Sequence, residues 1–271
     1  MKEHLKRFYN GGIVPEETIN NADLRGKTII VTGALVGGLG FETAKVLYEL
    51  GAHVVLAVLD ERKGMESMSE IMRLSQQVEV NEKRVVYSEK VVDAVVFGRR
   101  DLIGKGSLDV MVVDLSDLET VRKFTEQFRS RYEKLDILIN NAGVMLSPPG
   151  VTKQGVEIQF GINHLGHFLL THELLDLVTK CNGRVVNLSS IQMEYIRFIT
   201  KTTNFSLESV MGPCENSLSL HLYNRSKFAC AVFTKALDRY LEQEHPDSFS
   251  VCAHPGVIET KLFQHRSSLS K

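Results

Sequence analysis

Short apolar runs alternate with stretches of helical spacing along most of this chain, and the first run ends in a cluster of glycines. Thr28-Ile-Ile-Val31 reads as a buried strand, the turn Thr32-Gly-Ala-Leu-Val-Gly-Gly-Leu-Gly40 follows, and Phe41 to Leu50 has helical spacing up to a stop at Gly51. The pattern continues with a strand at His53 to Val58, a helix over 61 to about 76, a strand at Val110 to Val113, a helix over 117 to 131 and a strand at Asp136 to Ile139. Helical sequence over 156 to 180 leads to a strand at Arg184 to Leu188, and a helix over about 221 to 243 leads to one at Phe249 to Cys252. Strands joined through helices rather than tight hairpins pair in parallel, and a parallel sheet is covered on both faces. The expected fold class is α/β, a doubly wound parallel sheet in a single domain over 27–271. An irregular arm over 1–26, broken by Gly11, Gly12, Pro15, Asn20 and Asn21, precedes it.

A chain of 271 residues, 43% of them hydrophobic, can enclose a core of this size. A net charge of −1 and an isoelectric point near 6.8 leave no basic footprint for nucleic acid, so a small-molecule ligand is expected. Cys181, Cys214, Cys230 and Cys252 show neither Cys-x-x-Cys spacing nor a His at metal-ligand intervals; they read as free, mostly buried thiols, and no metal site is expected. The basic, briefly amphipathic segment Met1 to Tyr9 lacks the apolar stretch of a secretory leader, and nothing reaches the ~20 apolar residues of a transmembrane segment. A cytoplasmic location is the expectation.

A strand, a glycine turn and a helix that opens at once form the context of a phosphate site. Glycine lets the backbone approach the ligand, and the free N–H groups and positive helix end favour its charge. A ligand-free tight turn is the alternative, which the order of the three elements disfavours. Far downstream, Tyr223 and Lys227 stand four residues apart, so a helix stacks phenol and ammonium on one face, about 5–6 Å apart. A cation there favours the phenolate and lowers a pKa ordinarily about 10, which suits a proton donor.

Six segments follow one another in a telling order: Gly38-Leu-Gly-Phe-Glu-Thr-Ala44, Asn140-Asn-Ala-Gly143, Gly161-Ile-Asn-His-Leu-Gly-His-Phe168, Val185-Val-Asn-Leu-Ser-Ser190, Tyr223-Asn-Arg-Ser-Lys227 and His254-Pro-Gly-Val-Ile-Glu-Thr260. By these motifs residues 27 to about 262 resemble the short-chain dehydrogenase/reductase family, in the branch holding retinol dehydrogenases and the WW-domain oxidoreductase. The resemblance implies a Rossmann fold and a nicotinamide cofactor, NADP or NAD, with the branch leaning to NADP. It places Gly33, Gly38, Leu39 and Gly40 at the pyrophosphate, Asp60 at the end of the second strand, and Asp114 and Leu115 at the adenine. Asn141, Ala142 and Gly143 would line the adenosine ribose and central sheet, and Pro255, Gly256, Ile258 and Thr260 the nicotinamide carboxamide. Taken alone, residues 140–143 read as a strand-end turn and Pro255-Gly256 as a loop.

The same resemblance assigns the chemistry. Tyr223 gives or takes the proton, Lys227 lowers its pKa and binds the nicotinamide ribose, Ser190 orients the substrate oxygen, and Asn163 fixes a water that relays protons from Lys227. His164, His167 and His221 read as packed or surface residues. The 33 residues from Ser190 to Tyr223 require a long excursion, in which Met193, Tyr195, Ile196, Phe198 and Phe205 either line a pocket for a lipophilic carbonyl or pack onto the core.

Four features depart from the family pattern. The glycine turn is one residue longer than usual and carries Leu35 and Val36 where short polar side chains are usual, which is expected to distort the phosphate cradle. The second strand ends Ala57-Val-Leu-Asp60, with Leu59 in place of an Arg and Val58 where NAD-preferring members carry an acid; Asp60, Arg62 and Lys63 stand close by. An insertion at about 78–108 contains Lys83 to Tyr87 and Val91 to Phe97, which suit an added hairpin. The sequence ends about ten residues after Thr260, where the family continues with substrate-covering helices and a last strand. The leading expectation is an NAD(P)-dependent oxidoreductase acting on a lipophilic, retinoid- or steroid-like alcohol or carbonyl, possible as a homodimer through the Tyr223 helix. The alternative is a weak or inactive paralogue that binds a dinucleotide as a sensor or binds proteins as a scaffold.

Overall fold

The computed structural model describes residues 22–80, 106–193, 206–212, 214 and 217–256. Six strands form one sheet: β1 (Thr28–Thr32), β2 (His53–Val58), β3 (Ser107–Val112), β4 (Ile137–Asn140), β5 (Arg184–Leu188) and β6 (Phe249–Ala253). Their spatial order is β3-β2-β1-β4-β5-β6 and every pairing is parallel. The central strands are apolar without alternation, as burial on both faces requires: Ile29, Ile30 and Val31 are all fully buried.

Helices α1 (Leu39–Glu49) and α2 (Glu61–Val80) cover one face. There Phe41, Ala44, Tyr48 and Ile71 pack on Ile29, Val31, Val54 and Leu56. The other face carries α3 (Leu118–Arg131), α4 (Gly166–Thr179) and α6 (Ser219–Glu244), with Phe124, Phe128, Leu170, Leu174 and Leu241 against Ile30, Leu138 and Val185. Asp117 starts α3 by accepting from the Glu119 N–H at 3.0 Å. A short α5 (Leu207–Val210) precedes α6. Among the described residues no helix is long and apolar enough to cross a membrane.

The helix-compatible sequence over 156–180 forms an unbroken helical run over 158–179 that changes register inside. A helical turn at Ile158–Phe160 passes into a π-helical turn at Gly161–Leu165 before α4 begins. At this turn the Asn163 side chain and the His167 ring make buried hydrogen bonds, described below. β3 begins at Ser107, three residues before the expected strand, because it pairs with β2 over its whole length from His53–Ser107 to Val58–Val112. That register and the extension of α2 to Val80 shorten the stretch left for an insertion. The hairpin expected within it, residues 1–21 and residues 257–271 lie outside the described residues. All four cysteines are free thiols, but only Cys230 is buried; Cys181, Cys214 and Cys252 are half-buried.

Gly166 is set by contact rather than by φ. A Cβ there would lie 2.6 Å from the Leu115 carbonyl oxygen and 3.0 Å from the Leu115 Cβ. Overpacking against backbone costs about 1–3 kcal/mol, and the better helix propensity of alanine returns at most ~1 kcal/mol. Gly166→Ala is therefore expected to lower the urea midpoint, by a net ~1–2 kcal/mol, and an unchanged midpoint would show that the Leu115 loop can yield.

Candidate active site

The sheet reverses direction at its middle: from β1 the chain winds outward through β2 and β3, and from β4 through β5 and β6 in the opposite sense. At such a switch point the carboxyl ends of the two central strands open a crevice. Gly33 stands at the end of β1 with φ +69°, and a Cβ on it would meet the Ala142 Cα and Cβ at 3.0 Å. A Cβ on Gly40 would strike the Asn141 amide and the Gly33 carbonyl oxygen. Glycine here permits close packing of α1 on both strand ends.

The added residue in the glycine turn does not splay it. Leu35 N–H bonds the Gly33 carbonyl and Gly38 N–H the Leu35 carbonyl, each at 3.0 Å, while Leu35 packs into the core beneath α1. Val36 is exposed but its N–H donates to the Ser67 Oγ at 3.1 Å, tying the loop to α2. Gly38 then opens α1 with no side-chain cap, which leaves first-turn N–H groups at the crevice. An 11-residue helix that opens at Gly38 without a side-chain cap, with glycine at 33 and 40 where a Cβ would meet the neighbouring strand end, fits a dinucleotide pyrophosphate.

Farther along the crevice, Asp114 accepts from the Ser116 N–H at 2.8 Å and Oγ at 2.6 Å, beside the buried Leu115. Asp60 acts as the N-terminal cap of α2: it accepts from the Lys63 N–H at 3.0 Å, and that bond holds its carboxyl below the ordinary pKa. Leu59 is 65% exposed. Pro255 and Gly256 lie exposed just beyond β6; Ile258 and Thr260 lie outside the described residues, as do Tyr195, Ile196, Phe198 and Phe205.

Thr32, which sequence analysis did not single out, organises the turn after β4. Its Oγ receives the Asn141 and Ala142 N–H groups at 2.9 Å each, and the Asn141 amide donates to the Thr32 carbonyl at 2.7 Å. The only signal was a hydroxyl residue directly before the first glycine.

α6 carries Tyr223 and Lys227, both nearly fully buried. Burial pushes the Tyr223 phenol above its usual pKa, opposed by a hydrogen bond with the Ser190 side chain. Burial lowers the Lys227 pKa. The expected depression of the phenol by the lysine is therefore not what the structure shows. Lys227 Nζ lies 5.9 Å from the Tyr223 ring centroid and donates one of its three N–H bonds to the Leu188 carbonyl at 2.8 Å. Gly143 completes this wall, since a Cβ there would come within 3.5 Å of Lys227 Nζ and 3.2 Å of Asn163 Oδ1.

The Asn163 amide acts as a clamp. It accepts from Val144 N–H at 2.8 Å and donates to the Val144 carbonyl at 3.0 Å and to Ser226 Oγ at 2.9 Å. The turn after β4, the π-helical turn and the helix bearing Tyr223 thus meet at one side chain. His164 is enclosed by Phe160, Phe168 and Phe233 at ring distances of 5.1, 6.2 and 6.0 Å, and His167 is buried between Thr32 and Asn163.

Comparison with known proteins bears on this arrangement. The family model described as short chain dehydrogenase matches residues 84–200. Retinol dehydrogenase 12 of Homo sapiens is 35% identical over 266 residues, covering 98% of this chain and 71% of that protein. The chloroplastic short-chain dehydrogenase TIC 32 B of Brassica napus is 32% identical over 266 residues, covering 96% and 72%. Among solved structures, an uncharacterized protein from Mycobacterium paratuberculosis superposes with a TM-score of 0.65 at 30% identity, over 93% of this chain and 78% of that one. The fold is shared with Pseudomonas aeruginosa RhlG, solved as an NADP complex, at a TM-score of 0.60 and 20% identity, covering 91% and 78%.

The two buried imidazoles make an acid limb of instability. Burial lowers the His164 pKa to about 4 and the His167 pKa to about 3, from an ordinary 6.5. Below 6.5 the unfolded chain binds protons that the folded chain refuses, so stability falls as pH falls through that window. Each histidine contributes roughly 1.4 kcal/mol per pH unit between its two pKa values. Urea midpoints measured from pH 7 to 5 are expected to decline, and the slope is expected to shrink when His164 is replaced by Phe; a flat profile would mean that both rings reach solvent.

Proposed function

Because the chain belongs to the short-chain dehydrogenase/reductase family, in its retinol dehydrogenase-like branch, we propose that it interconverts a lipophilic alcohol and its carbonyl with Tyr223 as general acid and base. It is an oxidoreductase acting on CH–OH groups with a nicotinamide dinucleotide. The observation that carries the proposal is the burial of Tyr223 and Lys227 on one face of α6, with Lys227 Nζ 5.9 Å from the Tyr223 ring centroid.

The bound nicotinamide supplies or receives the hydride. The chain's own residues handle the oxygen and its proton. Ser190 and Tyr223 converge on one substrate oxygen, Ser190 holding it while Tyr223 exchanges a proton with it. A phenol whose pKa is raised stays protonated near neutrality, which suits carbonyl reduction. Alcohol oxidation needs the phenolate as base, so its optimum lies at higher pH than that of reduction. Asn163 holds Ser226 and the Val144 backbone, which keeps α6 and Gly143 at fixed spacing.

Relatives named retinol dehydrogenases support a retinoid-like substrate class. The absence of an acid at Val58 and the cations Arg62 and Lys63 at the start of α2 support NADP over NAD, with Asp60 engaged as a helix cap. The exposed Phe168, Val232 and Tyr240 on α4 and α6 support a homodimer through these helices. No observation among the described residues favours the sensor or scaffold reading.

Tyr223→Phe removes only the proton-transfer oxygen. Turnover is expected to fall at least ~10²-fold with cofactor affinity nearly intact; turnover equal to the parent's would sink the assignment. Titration with NADPH and with NADH, followed by nicotinamide fluorescence, is expected to show tighter binding of NADPH, and the reverse order would move the cofactor assignment to NAD.

A further inference from the structure

We propose that His167 is a positioning residue for this reaction, a neutral bridge that locks the turn of Asn141 and Ala142 to the π-helical turn of Asn163. The inference rests on the reaction proposed above and adds a residue to which sequence analysis gave only a packing role.

The hydrogen-bond directions follow from the partners. His167 Nδ1 lies 3.1 Å from the Asn163 carbonyl oxygen, which can only accept, so Nδ1 carries the proton. Nε2 then presents a lone pair to Thr32 Oγ at 2.9 Å, and the Thr32 hydroxyl donates to it. That leaves the two lone pairs of the hydroxyl for the Asn141 and Ala142 N–H groups, each at 2.9 Å. The longer 3.4 Å contact to the Ile139 carbonyl would need the same hydroxyl proton. The opposite tautomer would set a lone pair against the Asn163 carbonyl. Burial keeps the ring uncharged across ordinary pH, so a single tautomer persists.

The two ends of this bridge matter for different steps. At one end, Thr32 fixes the turn that borders the dinucleotide crevice beside Gly33. At the other, the Asn163 carbonyl also receives the Cys230 thiol at 3.2 Å, from the helix bearing Tyr223 and Lys227. Within Gly161–Leu165 the π register carries the Gly166 N–H back to the Gly161 carbonyl. The side-chain bonds to the Asn163 carbonyl hold this change of register in place, and it aims the Asn163 amide at Val144 and Ser226. A rigid ring between the two turns sets the cofactor's seat relative to the proton donor, which proximity catalysis requires.

Two substitutions cut the bridge at opposite ends in the full-length chain. In His167→Asn the amide nitrogen can replace Nδ1 at the Asn163 carbonyl but nothing reaches Thr32. In His167→Gln the amide oxygen can replace Nε2 at Thr32 but the bond to Asn163 is lost. His167→Asn is expected to weaken NADPH binding about tenfold by fluorescence titration with kcat the less affected. His167→Gln is expected to lower kcat for retinal about tenfold with the Kd the less affected. Changes of both parameters in step with a fall in Tm, or no change in either, would overturn the proposal and leave His167 a packing residue. The NADPH arm needs no turnover: parent-like affinity in His167→Asn is by itself decisive against it. Should that variant not fold, Thr32→Val removes the His167 link together with the acceptor of the Asn141 and Ala142 N–H groups and is expected to weaken NADPH at least as much, with Thr32→Ser keeping parent-like affinity; parent-like affinity in Thr32→Val would overturn the proposal. A Tyr223→Phe enzyme that keeps its turnover would instead remove the reaction assignment, while the NADPH result would still stand.

Discussion

The Thr32 hydroxyl is the point on which the site depends. β4 ends at Asn140, so the next two N–H groups, both on half-buried residues, have no strand to pair with, and only that of Asn141 also reaches the Ile139 carbonyl, at 3.0 Å. A buried donor left unpaired costs about 1–3 kcal/mol. One fully buried hydroxyl satisfies both, and in doing so it holds the turn against Gly33, where the central strands part. The crevice is thus formed by a local hydrogen-bonding need as much as by the winding of the sheet. Any side chain at position 32 without an oxygen would release the turn, and with it the wall that a dinucleotide would face.

Sheet order and most element boundaries were legible because the strands are short, apolar and separated by helical spacing. β2 and β5 fall where the pattern puts them, and the parallel pairing follows from the connections. The motif residues Gly33, Asn141, Asn163, Ser190, Tyr223 and Lys227 were legible through family resemblance, and the structure brings all of them to the carboxyl edge of the sheet or its flanking helices. What could not be read was how they bond. Apolar periodicity runs unbroken through residues 156–180, so it hides a π-helical turn at which a side chain four residues downstream of Asn163, His167, bonds to the Asn163 carbonyl. Spacing put Lys227 on the same face as Tyr223 but carried no information on where the ammonium points, since the Leu188 carbonyl that accepts its hydrogen bond lies 39 residues away in sequence. Thr32 and Ser67 escaped notice because a hydroxyl beside a glycine, or on an exposed-looking helix, has no pattern of its own.

Burial of Tyr223 and Lys227, the proton donor and cation of the proposed mechanism, poses opposing demands. Desolvation raises the Tyr223 pKa and lowers that of Lys227, which drives both groups toward their neutral forms. A neutral phenol is the state from which a carbonyl oxygen is protonated, so this arrangement favours reduction. Oxidation would require the phenolate, stabilised here by the Ser190 hydrogen bond and by whatever positive charge Lys227 retains. The Leu188 carbonyl at 2.8 Å accepts from Lys227 and so favours its charged form, which partly offsets the desolvation of the ammonium. In the proposed mechanism, the fraction of Tyr223 available as phenolate at a given pH depends on how far Lys227 stays charged. Gly143 borders the same site, and any larger residue there would crowd the Asn163 amide. A Cβ there would press on Asn163 Oδ1 at 3.2 Å, while its 3.5 Å approach to Lys227 Nζ is ordinary contact.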